Sequence, residues 1–228
     1  MGGPLRLDGE RRFRGFAELL ARTNGSFLEG ASHPDEMVAH AKELGLAAIG
    51  VCDTDGVYGM VKAHQAAQEA GVTLLAGTRL TVRGVPSDEK ATRLDGTALA
   101  APLALIARDL PGWSAICGLV TKGRMRLPKG ASSVSLEEIA ASEARERCFA
   151  IAQPADAREA ARLREIFGER LSIAVSRHHA AGDERAVAKA IALARETGVP
   201  LVATNEPTFH VPERKPLHDV LLALRHKT

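Results

Sequence analysis

Short aliphatic segments alternate with longer segments of helical periodicity along most of the chain, and this alternation is the strongest constraint on the fold. Uninterrupted apolar runs are typical of strands that are buried on both faces, as in a parallel sheet covered by helices. Glycines stand where four of the helical segments should end, at Gly45, Gly71, Gly168 and Gly198. Repeated strand–helix units predict parallel strands that are joined by right-handed crossovers.

We expect seven strands and seven helices, which together make an α/β fold. The strands are expected at 47–52, 72–76, 103–107, 148–152, 171–175 and 200–204, with a weaker run at 16–21. The helices are expected at 34–44, 57–70, 112–122, 136–146, 157–167, 183–197 and 217–226. Polar residues that are followed three positions later by an acid predict helix N-caps at Ser32, Ser135 and Asp156.

The length of each unit favours a barrel over an open sheet. Seven units in 228 residues are about 33 residues each, close to the roughly 31 residues per unit of an eight-unit β/α barrel. An open doubly wound sheet is the alternative, but no phosphate loop of the GxGxxG or GxxxxGK(S/T) type follows any strand. We therefore favour a β/α barrel, with an irregular excursion at about 82–101 where glycine and proline interrupt the periodicity.

Composition excludes several classes of protein. Hydrophobic residues make up 45% of the chain and charged residues 25%, which is typical of a globular protein and excludes a disordered tail. A net charge of +2 and an aromatic content of 4% argue against a domain that binds nucleic acid through bulk charge or base stacking. The scattered thiols of Cys52, Cys117 and Cys148 and the lack of a membrane-spanning apolar run predict a cytoplasmic protein.

Functional side chains of a β/α barrel lie at the C-terminal ends of its strands. At the predicted strand ends the candidate metal ligands are Asp53, Asp55, Glu206, His178 and His179, and the same ring contains arginines, among them Arg22 and Arg79. A hydrolytic metal centre needs a concentrated set of histidine and carboxylate ligands, and positively charged arginines in the same ring oppose it.

Several stretches of the sequence resemble the N-terminal PHP (polymerase and histidinol phosphatase) domain of bacterial DNA polymerase III alpha subunits. They are FAELLARTNGSFLEGASHPDEMV at 16–38, CDTDGVYG at 52–59, PLVATN at 200–205 and VPERKPLHDVLL at 211–222. The GASHP and VPERKPLHDVL segments are closest to the error-prone type of alpha subunit. The resemblance implies a distorted seven-stranded, TIM-like β/α barrel over 16–228, and we expect a flexible lead at 1–15.

The resemblance also implies that most of the family's metal ligands are replaced in this chain. The family's ligand positions fall on Leu20, Arg22, Thr54, Arg79, Pro102 and Thr208, and one more falls near Gln153. According to the resemblance, Asp53, Glu206 and either His178 or His179 remain as a vestigial metal site. An arginine about 5 Å from a divalent ion opposes its binding by roughly 6–7 kcal/mol at an effective dielectric of about 20. We therefore expect no catalytic residue, metal or cofactor here, whereas an active site would use Zn, Mn or Fe.

Two interpretations of the arginines at the predicted barrel mouth stay open. Either Arg22 or Arg79 replaces the ions and pairs with Asp53 and Glu206, or both arginines extend into solvent and the carboxylates are hydrated.

A basic segment away from the mouth is a candidate contact for a phosphate backbone or an acidic protein. It contains Lys122, Arg124, Arg126 and Lys129, in a predicted loop with glycine and proline and with no acid nearby. A solvated loop is the alternative.

The resemblance implies a non-catalytic, structural PHP domain of an error-prone DNA polymerase III alpha-type subunit that acts in DNA replication and repair synthesis. The full-length protein would be a DNA-directed DNA polymerase, a nucleotidyltransferase, and the barrel would be inactive by itself. Its partner would be the polymerase domain of the same chain, with DNA and accessory repair proteins as further candidates and no membrane contact. The alternatives are a metal-dependent phosphoesterase or 3'-5' exonuclease of the PHP family, and a free-standing interaction module built on an inactive enzyme.

Overall fold

Seven strands form one curled sheet in which each strand pairs with its neighbour in the sequence. The computed structural model describes residues 15–83 and 101–227, and the following elements lie in those ranges. The strands are β1 (Ala17–Ala21), β2 (Ala48–Thr54), β3 (Leu74–Leu80), β4 (Leu103–Ala107), β5 (Cys148–Ala152), β6 (Leu171–Val175) and β7 (Leu201–Ala203). The helices are α1 (Pro34–Glu43), α2 (Met60–Ala70), α3 (Leu110–Met125), α4 (Leu136–Ala140), α5 (Ala144–Arg147), α6 (Ala157–Phe167), α7 (Asp183–Thr197) and α8 (Lys215–His226). The predicted α/β fold with a distorted, TIM-like barrel sheet is confirmed.

Local sequence accounts for most of the helix boundaries. The predicted caps at Ser135 and Asp156 are confirmed, since each side chain accepts a hydrogen bond from the backbone three residues later. The cap of α1 is His33 instead of Ser32, because the Ser32 hydroxyl bonds to the ring of His210. The helix expected at 136–146 is interrupted at Ser142, whose hydroxyl donates to the Ile139 carbonyl and accepts from the next helix.

The prediction of parallel strands is wrong for β4, which runs antiparallel to both β3 and β5. Helix α3 carries the chain away from the end of β4, and the segment 126–147 returns it to the same end. Ala107 at the end of β4 therefore pairs with Cys148 at the start of β5. As a consequence, Pro102, which precedes β4, lies at the end of the sheet where the parallel strands finish.

Apolar side chains fill both the inside of the curled sheet and the space under the helices. The inside holds small or medium-sized side chains, from Leu20, Cys52, Ala104, Ile106, Ile151 and Ala174. Gly77 also faces this space, because a Cβ atom there would lie 2.6 Å from the Cys52 sulfur. The core outside the sheet is larger and contains most of the fully buried leucine, isoleucine and phenylalanine side chains.

The two edges of the sheet, β1 and the segment after β7, are joined by the buried side chain of Glu18. Its Oε1 atom accepts hydrogen bonds from the Leu20 amide at 2.9 Å and from the Thr204 hydroxyl, and its Oε2 atom accepts one from the Asn205 amide at 2.8 Å. The backbone continues this junction, since the Arg22 amide donates to the Pro207 carbonyl at 2.9 Å. Glu18 is 3% exposed, and two of its donor residues, Leu20 and Thr204, are buried as well.

Helix α8 lies against the C-terminal end of the sheet and leaves one face in solvent. None of its residues is fully buried. Leu217, Val220 and Leu224, which lie three and four residues apart, are 43%, 56% and 61% exposed. This apolar stripe makes α8 an amphipathic helix whose outer face is uncovered among the described residues.

Two predictions fall mainly on other parts of the chain. The flexible lead at 1–15 and the excursion at 82–101 lie outside the described residues, except at their borders. At one border Val82 forms an isolated parallel bridge with Val134. Within 15–83 and 101–227, no helix is long and apolar enough to span a membrane.

Replacing Glu18 with alanine should destabilise the barrel strongly. Three donors on two sheet edges would lose their acceptor, and two of them, the Leu20 amide and the Thr204 hydroxyl, belong to buried residues. Each buried unsatisfied donor costs about 1–3 kcal/mol, so we expect a total loss of about 2–6 kcal/mol. Urea unfolding followed by circular dichroism measures this loss. Glu165→Ala on the exposed face of α6 is the matched control and should change stability by less than about 0.5 kcal/mol. Equal effects of the two substitutions would contradict the assigned role of Glu18.

Candidate functional site

The C-terminal ends of the strands open into a cavity of about 590 Å³, referred to here as the mouth cavity. Its lining includes these residues predicted from the sequence: Arg22, Thr54, Arg79, Pro102, His178, Glu206 and Thr208. Leu20 and Gln153 line a much smaller void of about 10 Å³ between Arg79 and the apolar interior. Asp53 is not part of either lining.

An ion pair between Arg79 and Glu206 crosses the mouth cavity. Arg79 is the sixth residue of β3 and points inwards, and its Nη1 atom lies 2.5 Å from the Oε2 atom of Glu206. The Nε2 atom of Gln153 donates to the other carboxylate oxygen at 2.7 Å. The two charged side chains are each 10% exposed, so water screens their charges only weakly. Each charge is therefore compensated mainly by the other. Of the two interpretations left open, the structure shows the paired one for Arg79 with Glu206.

A second ion-pair group at the mouth cavity centres on Glu29. Arg22 Nη1 lies 3.2 Å from Glu29 Oε2, the Thr54 hydroxyl donates to the same oxygen at 2.8 Å, and Arg225 on α8 bonds to Oε1. Burial opposes ionisation of Glu29. The hydrogen bonds from Arg225 and Thr54, together with the charges of Arg225 and Arg22, outweigh it and lower the pKa of the carboxyl group.

The guanidinium of Arg22 is crowded by its surroundings. Burial is the main cause that lowers the pKa of Arg22, and the neighbouring charge of Arg79 lowers it further. The Nε atom of Arg22 is buried and has no hydrogen-bond partner among the described residues.

Asp53 points away from the mouth and organises the loop between β1 and α1. Its carboxylate accepts hydrogen bonds from the Thr23 amide at 2.7 Å, the Thr23 hydroxyl at 2.8 Å and the Ser26 hydroxyl at 2.8 Å. Burial raises the pKa of Asp53, although these hydrogen bonds act in the opposite direction. The expected arginine partner of Asp53 is not found among the described residues, because Thr23 and Ser26 already satisfy its oxygens.

The two histidines proposed for the vestigial site are exposed. His178 lines the mouth cavity, and its backbone amide donates to the Asp183 carboxylate at 2.6 Å. His179 adopts a left-handed backbone conformation with φ of 59° and is not part of the cavity lining. Of the three residues assigned to the vestigial site, only His178 and Glu206 share the cavity.

The side chains of the mouth cavity do not fit a cluster of metal ions. Within 15–83 and 101–227, no three His, Cys, Asp or Glu side chains converge in a way that could hold an ion. Both carboxylates of the cavity, Glu29 and Glu206, are occupied by guanidinium groups. A cation would have to displace an arginine from a largely buried carboxylate and then remain close to its charge.

Three residues of the mouth cavity are not predicted from the sequence. Glu29 lies in the loop after β1, while His218 and Arg225 lie on α8, and all three line the cavity. A search restricted to strand ends passes over loops and over a terminal helix. The segment 211–222, which resembles the family and overlaps the first part of α8, is the sequence feature that could have indicated that this helix contributes to the site.

The basic segment is more strongly engaged than its sequence indicates. Lys122, the last residue of the helix expected at 112–122, and Arg124 both belong to the last turn of α3, so the prediction of a loop is wrong for Arg124. Arg126 pairs with Glu138 at 2.5 Å, and Arg124 donates to the Asp55 carbonyl at 2.9 Å. The prediction of no nearby acid is wrong, because the capping acid of α4 folds back onto this segment.

The PHP domain family matches residues 18–178. The chain belongs to this family. A protein named error-prone DNA polymerase from Anaeromyxobacter sp. (strain K) is 38% identical over 222 residues, which is 93% of this chain and 18% of that protein. An error-prone DNA polymerase from Ralstonia nicotianae is 36% identical over 224 residues, or 92% of this chain and 20% of that protein. The chain thus spans about a fifth of the length of these relatives.

Solved structures with the same fold are more distant in sequence. A protein from Bifidobacterium adolescentis assigned as a metal-dependent phosphoesterase superposes with a TM-score of 0.57 at 14% identity, over 87% of this chain and 88% of its own. An amidohydrolase from Chromobacterium violaceum, solved with bound SO4 and no metal, gives a TM-score of 0.58 at 16% identity, over 86% and 88% of the two chains. At this identity the comparison establishes the fold of the PHP domain alone.

Removing the charge of Arg79 should destabilise this PHP domain. Arg79→Met would leave the Glu206 carboxylate in a largely buried place without its cation, at a cost of about 2–4 kcal/mol. The control is Arg147→Met, which breaks a half-exposed pair with Asp109 and should cost less than about 1 kcal/mol. Urea denaturation of both variants measures the difference. A double-mutant cycle with Glu206→Gln should give a coupling of about 1–3 kcal/mol, and additive effects would contradict the pairing.

The effect of Glu29→Gln on stability should depend on pH. A carboxyl group whose pKa is lowered by folding stabilises the protein above its unfolded pKa of about 4.3, and this contribution disappears as the pH falls through the folded value. We therefore expect a cost of about 1–3 kcal/mol at pH 7 that shrinks in acid. Denaturant midpoints of both proteins measured between neutral and acidic pH test this, with Glu165→Gln as the exposed control. A cost that stays constant over this range would contradict the ionised state of Glu29.

Proposed function

We propose that this PHP domain is a non-catalytic, structural module of an error-prone DNA polymerase. The Arg79–Glu206 ion pair is the observation that carries the proposal. The pair puts a guanidinium at one of the family's ligand positions, according to the resemblance described above, and it uses the Glu206 carboxylate to compensate the charge of that guanidinium. The vestigial site of Asp53, His178 and Glu206 is then divided, since Asp53 supports a loop and Glu206 holds an arginine.

The relatives support the association with a polymerase. Two of them carry the name error-prone DNA polymerase, and each is about five times as long as the matched region. In a protein of that kind, the remaining part of the polypeptide would be a nucleotidyltransferase that carries out DNA replication and repair synthesis. The whole protein would be cytoplasmic. Its polymerase domain would be the first partner of the barrel, and DNA or accessory repair proteins would be further partners.

Exposed apolar side chains on the surface of the barrel support a role in packing against another protein domain. The apolar stripe of α8, with Leu217, Val220 and Leu224, is exposed in a chain of this length. Leu201 on β7 is 41% exposed as well. Apolar side chains repeated on one face of a helix are normally covered by another element. The polymerase domain of the same polypeptide would supply that cover.

A metal and hydrolysis assay tests the non-catalytic role. The purified chain, after exposure to Mn²⁺, Zn²⁺ or Fe²⁺ and gel filtration, should retain less than about 0.1 ion per molecule by elemental analysis, because the cavity lacks a free ligand set. It should not hydrolyse bis-p-nitrophenyl phosphate or a 3'-terminal phosphodiester above the buffer rate.

The same assay distinguishes the proposed role from that of a metal-dependent phosphoesterase or exonuclease. One or more ions per chain, together with turnover that EDTA abolishes, would show a metal-dependent phosphoesterase or exonuclease and overturn the proposal. Arg79→Glu is the informative companion variant, since it removes the guanidinium and adds a carboxylate next to Glu206. An increase in retained Mn²⁺ in that variant alone would show that Arg79 is what excludes the ion.

A further inference from the structure

Two aromatic rings lie side by side in solvent at the end of the sheet where the mouth cavity opens. Phe27, in the loop after β1, is 69% exposed, and Tyr58, in the loop after β2, is 58% exposed. Their ring centroids are 5.4 Å apart, with an angle of 52° between the ring planes. Neither ring lines the mouth cavity. Exposed rings of this kind leave apolar π faces open to a partner.

The loops hold both rings in defined positions. Ser26, next to Phe27, donates its hydroxyl hydrogen to the Asp53 carboxylate at 2.8 Å. Tyr58 folds back over Gly56, where a Cβ atom would lie only 2.5 Å from the Cε2 atom of the ring. Because the rings are in place before a ligand arrives, binding costs little ordering entropy.

Positive charge accompanies the pair of rings. The guanidinium carbon of Arg124 lies 5.8 Å from the centre of the Tyr58 ring, and its Nε atom donates to the Asp55 carbonyl at 2.9 Å. The Asp55 carboxylate is turned to Thr81, which donates its amide at 2.7 Å and its hydroxyl at 2.6 Å. Lys62 is exposed in the first turn of α2, which contains no acid. A ligand on the Tyr58 ring would therefore meet cationic side chains.

An unpaired nucleic-acid strand fits this combination of rings and cations. Its bases expose π faces that stack on aromatic side chains, and its phosphates bind arginine and lysine. The bases of a duplex are stacked on one another, so they are closed to the rings. A stable protein interface buries about 1,200–2,000 Å², whereas two rings are sufficient for one or two bases.

We propose that the Phe27 and Tyr58 rings and the guanidinium group of Arg124 form a platform that binds an unpaired DNA strand. The rings stack against one or two bases, while Arg124 and Lys62 contact the adjacent phosphates. The choice of DNA rests on the proposed function, because template-directed synthesis by a polymerase requires an unpaired strand. The platform gives that strand a surface outside the mouth cavity, and binding there needs neither a metal ion nor turnover.

Fluorescence anisotropy of a labelled oligothymidylate of about 15 nucleotides, titrated in EDTA with the whole chain of 228 residues, tests the platform. We expect a Kd of about 10–100 μM at an ionic strength of about 50 mM, and weaker binding as salt is added. The duplex of the same strand with oligoadenylate should bind less tightly, since its bases are not free to stack on the rings.

Variants separate stacking from charge. Phe27→Ala and Tyr58→Ala should each weaken binding at least about fivefold, the loss expected when one base no longer stacks on a ring. Tyr58→Phe keeps the ring and should bind like the original protein. Arg124→Gln should reduce the slope of log Kd against log salt by about 0.7, as expected for one lost contact to a single-stranded phosphate. The matched control is Phe149→Ala, which removes a half-exposed ring beneath the guanidinium of Arg108 at the opposite end of the sheet and should not change binding.

Several results would overturn the proposal. They are no change in anisotropy up to about 0.5 mM protein, equal affinity for the duplex, and undiminished binding by both alanine variants of the rings. Tighter binding of a pentapeptide of alternating glutamate and tryptophan than of the oligothymidylate would assign the platform to a protein partner and overturn it as well. If circular dichroism shows that Tyr58→Ala is unfolded, Phe27→Ala decides. Metal-dependent hydrolysis would overturn the non-catalytic role without affecting DNA binding measured in EDTA, so the two proposals fail separately.

Discussion

The buried carboxylate of Glu18 holds together the two edges of the sheet, and the geometry of the barrel mouth depends on this junction. By accepting hydrogen bonds from the Thr204 hydroxyl and the Asn205 amide, it places the end of β7 next to β1. Glu206 follows directly in the chain and is thereby brought opposite Arg79. A side chain performs this work because the described ladder ends at β1 and β7, so the two edges need another set of partners for their polar groups.

The charges at the mouth form a network in which each carboxylate has a guanidinium partner. Arg79 holds Glu206, and Arg22 and Arg225 hold Glu29 from two different elements. Arg79 and Glu206 are each 10% exposed, so an unpaired charge on either side chain would be costly. The mouth therefore differs chemically from a hydrolytic metal centre, where carboxylates and imidazoles must remain free to bind ions.

The strands and most of the helices could be predicted because their causes are local. The apolar runs at 103–107, 148–152 and 171–175 have the same boundaries as β4, β5 and β6. Ser135 and Asp156 cap α4 and α6, as their spacing to the next acid predicts. The direction of β4 could not be predicted, because periodicity describes which faces of a strand are buried but not which way the chain runs. Its reversal depends on the path of α3 and the segment 126–147, which returns to the end of the strand it left.

The sequence by itself determined the elements of the barrel, the family to which it belongs and the residue types that stand where the family's ligands would be. Only the tertiary structure decided which of those residues meet. Arg79 and Glu206 are 127 positions apart and pair across the mouth, while Asp53, which the sequence places at a neighbouring strand end, turns to Thr23 and Ser26. The physical reason is that a charged side chain inside a protein takes the partner that curvature and strand closure bring within hydrogen-bonding distance, and neither is encoded in local spacing.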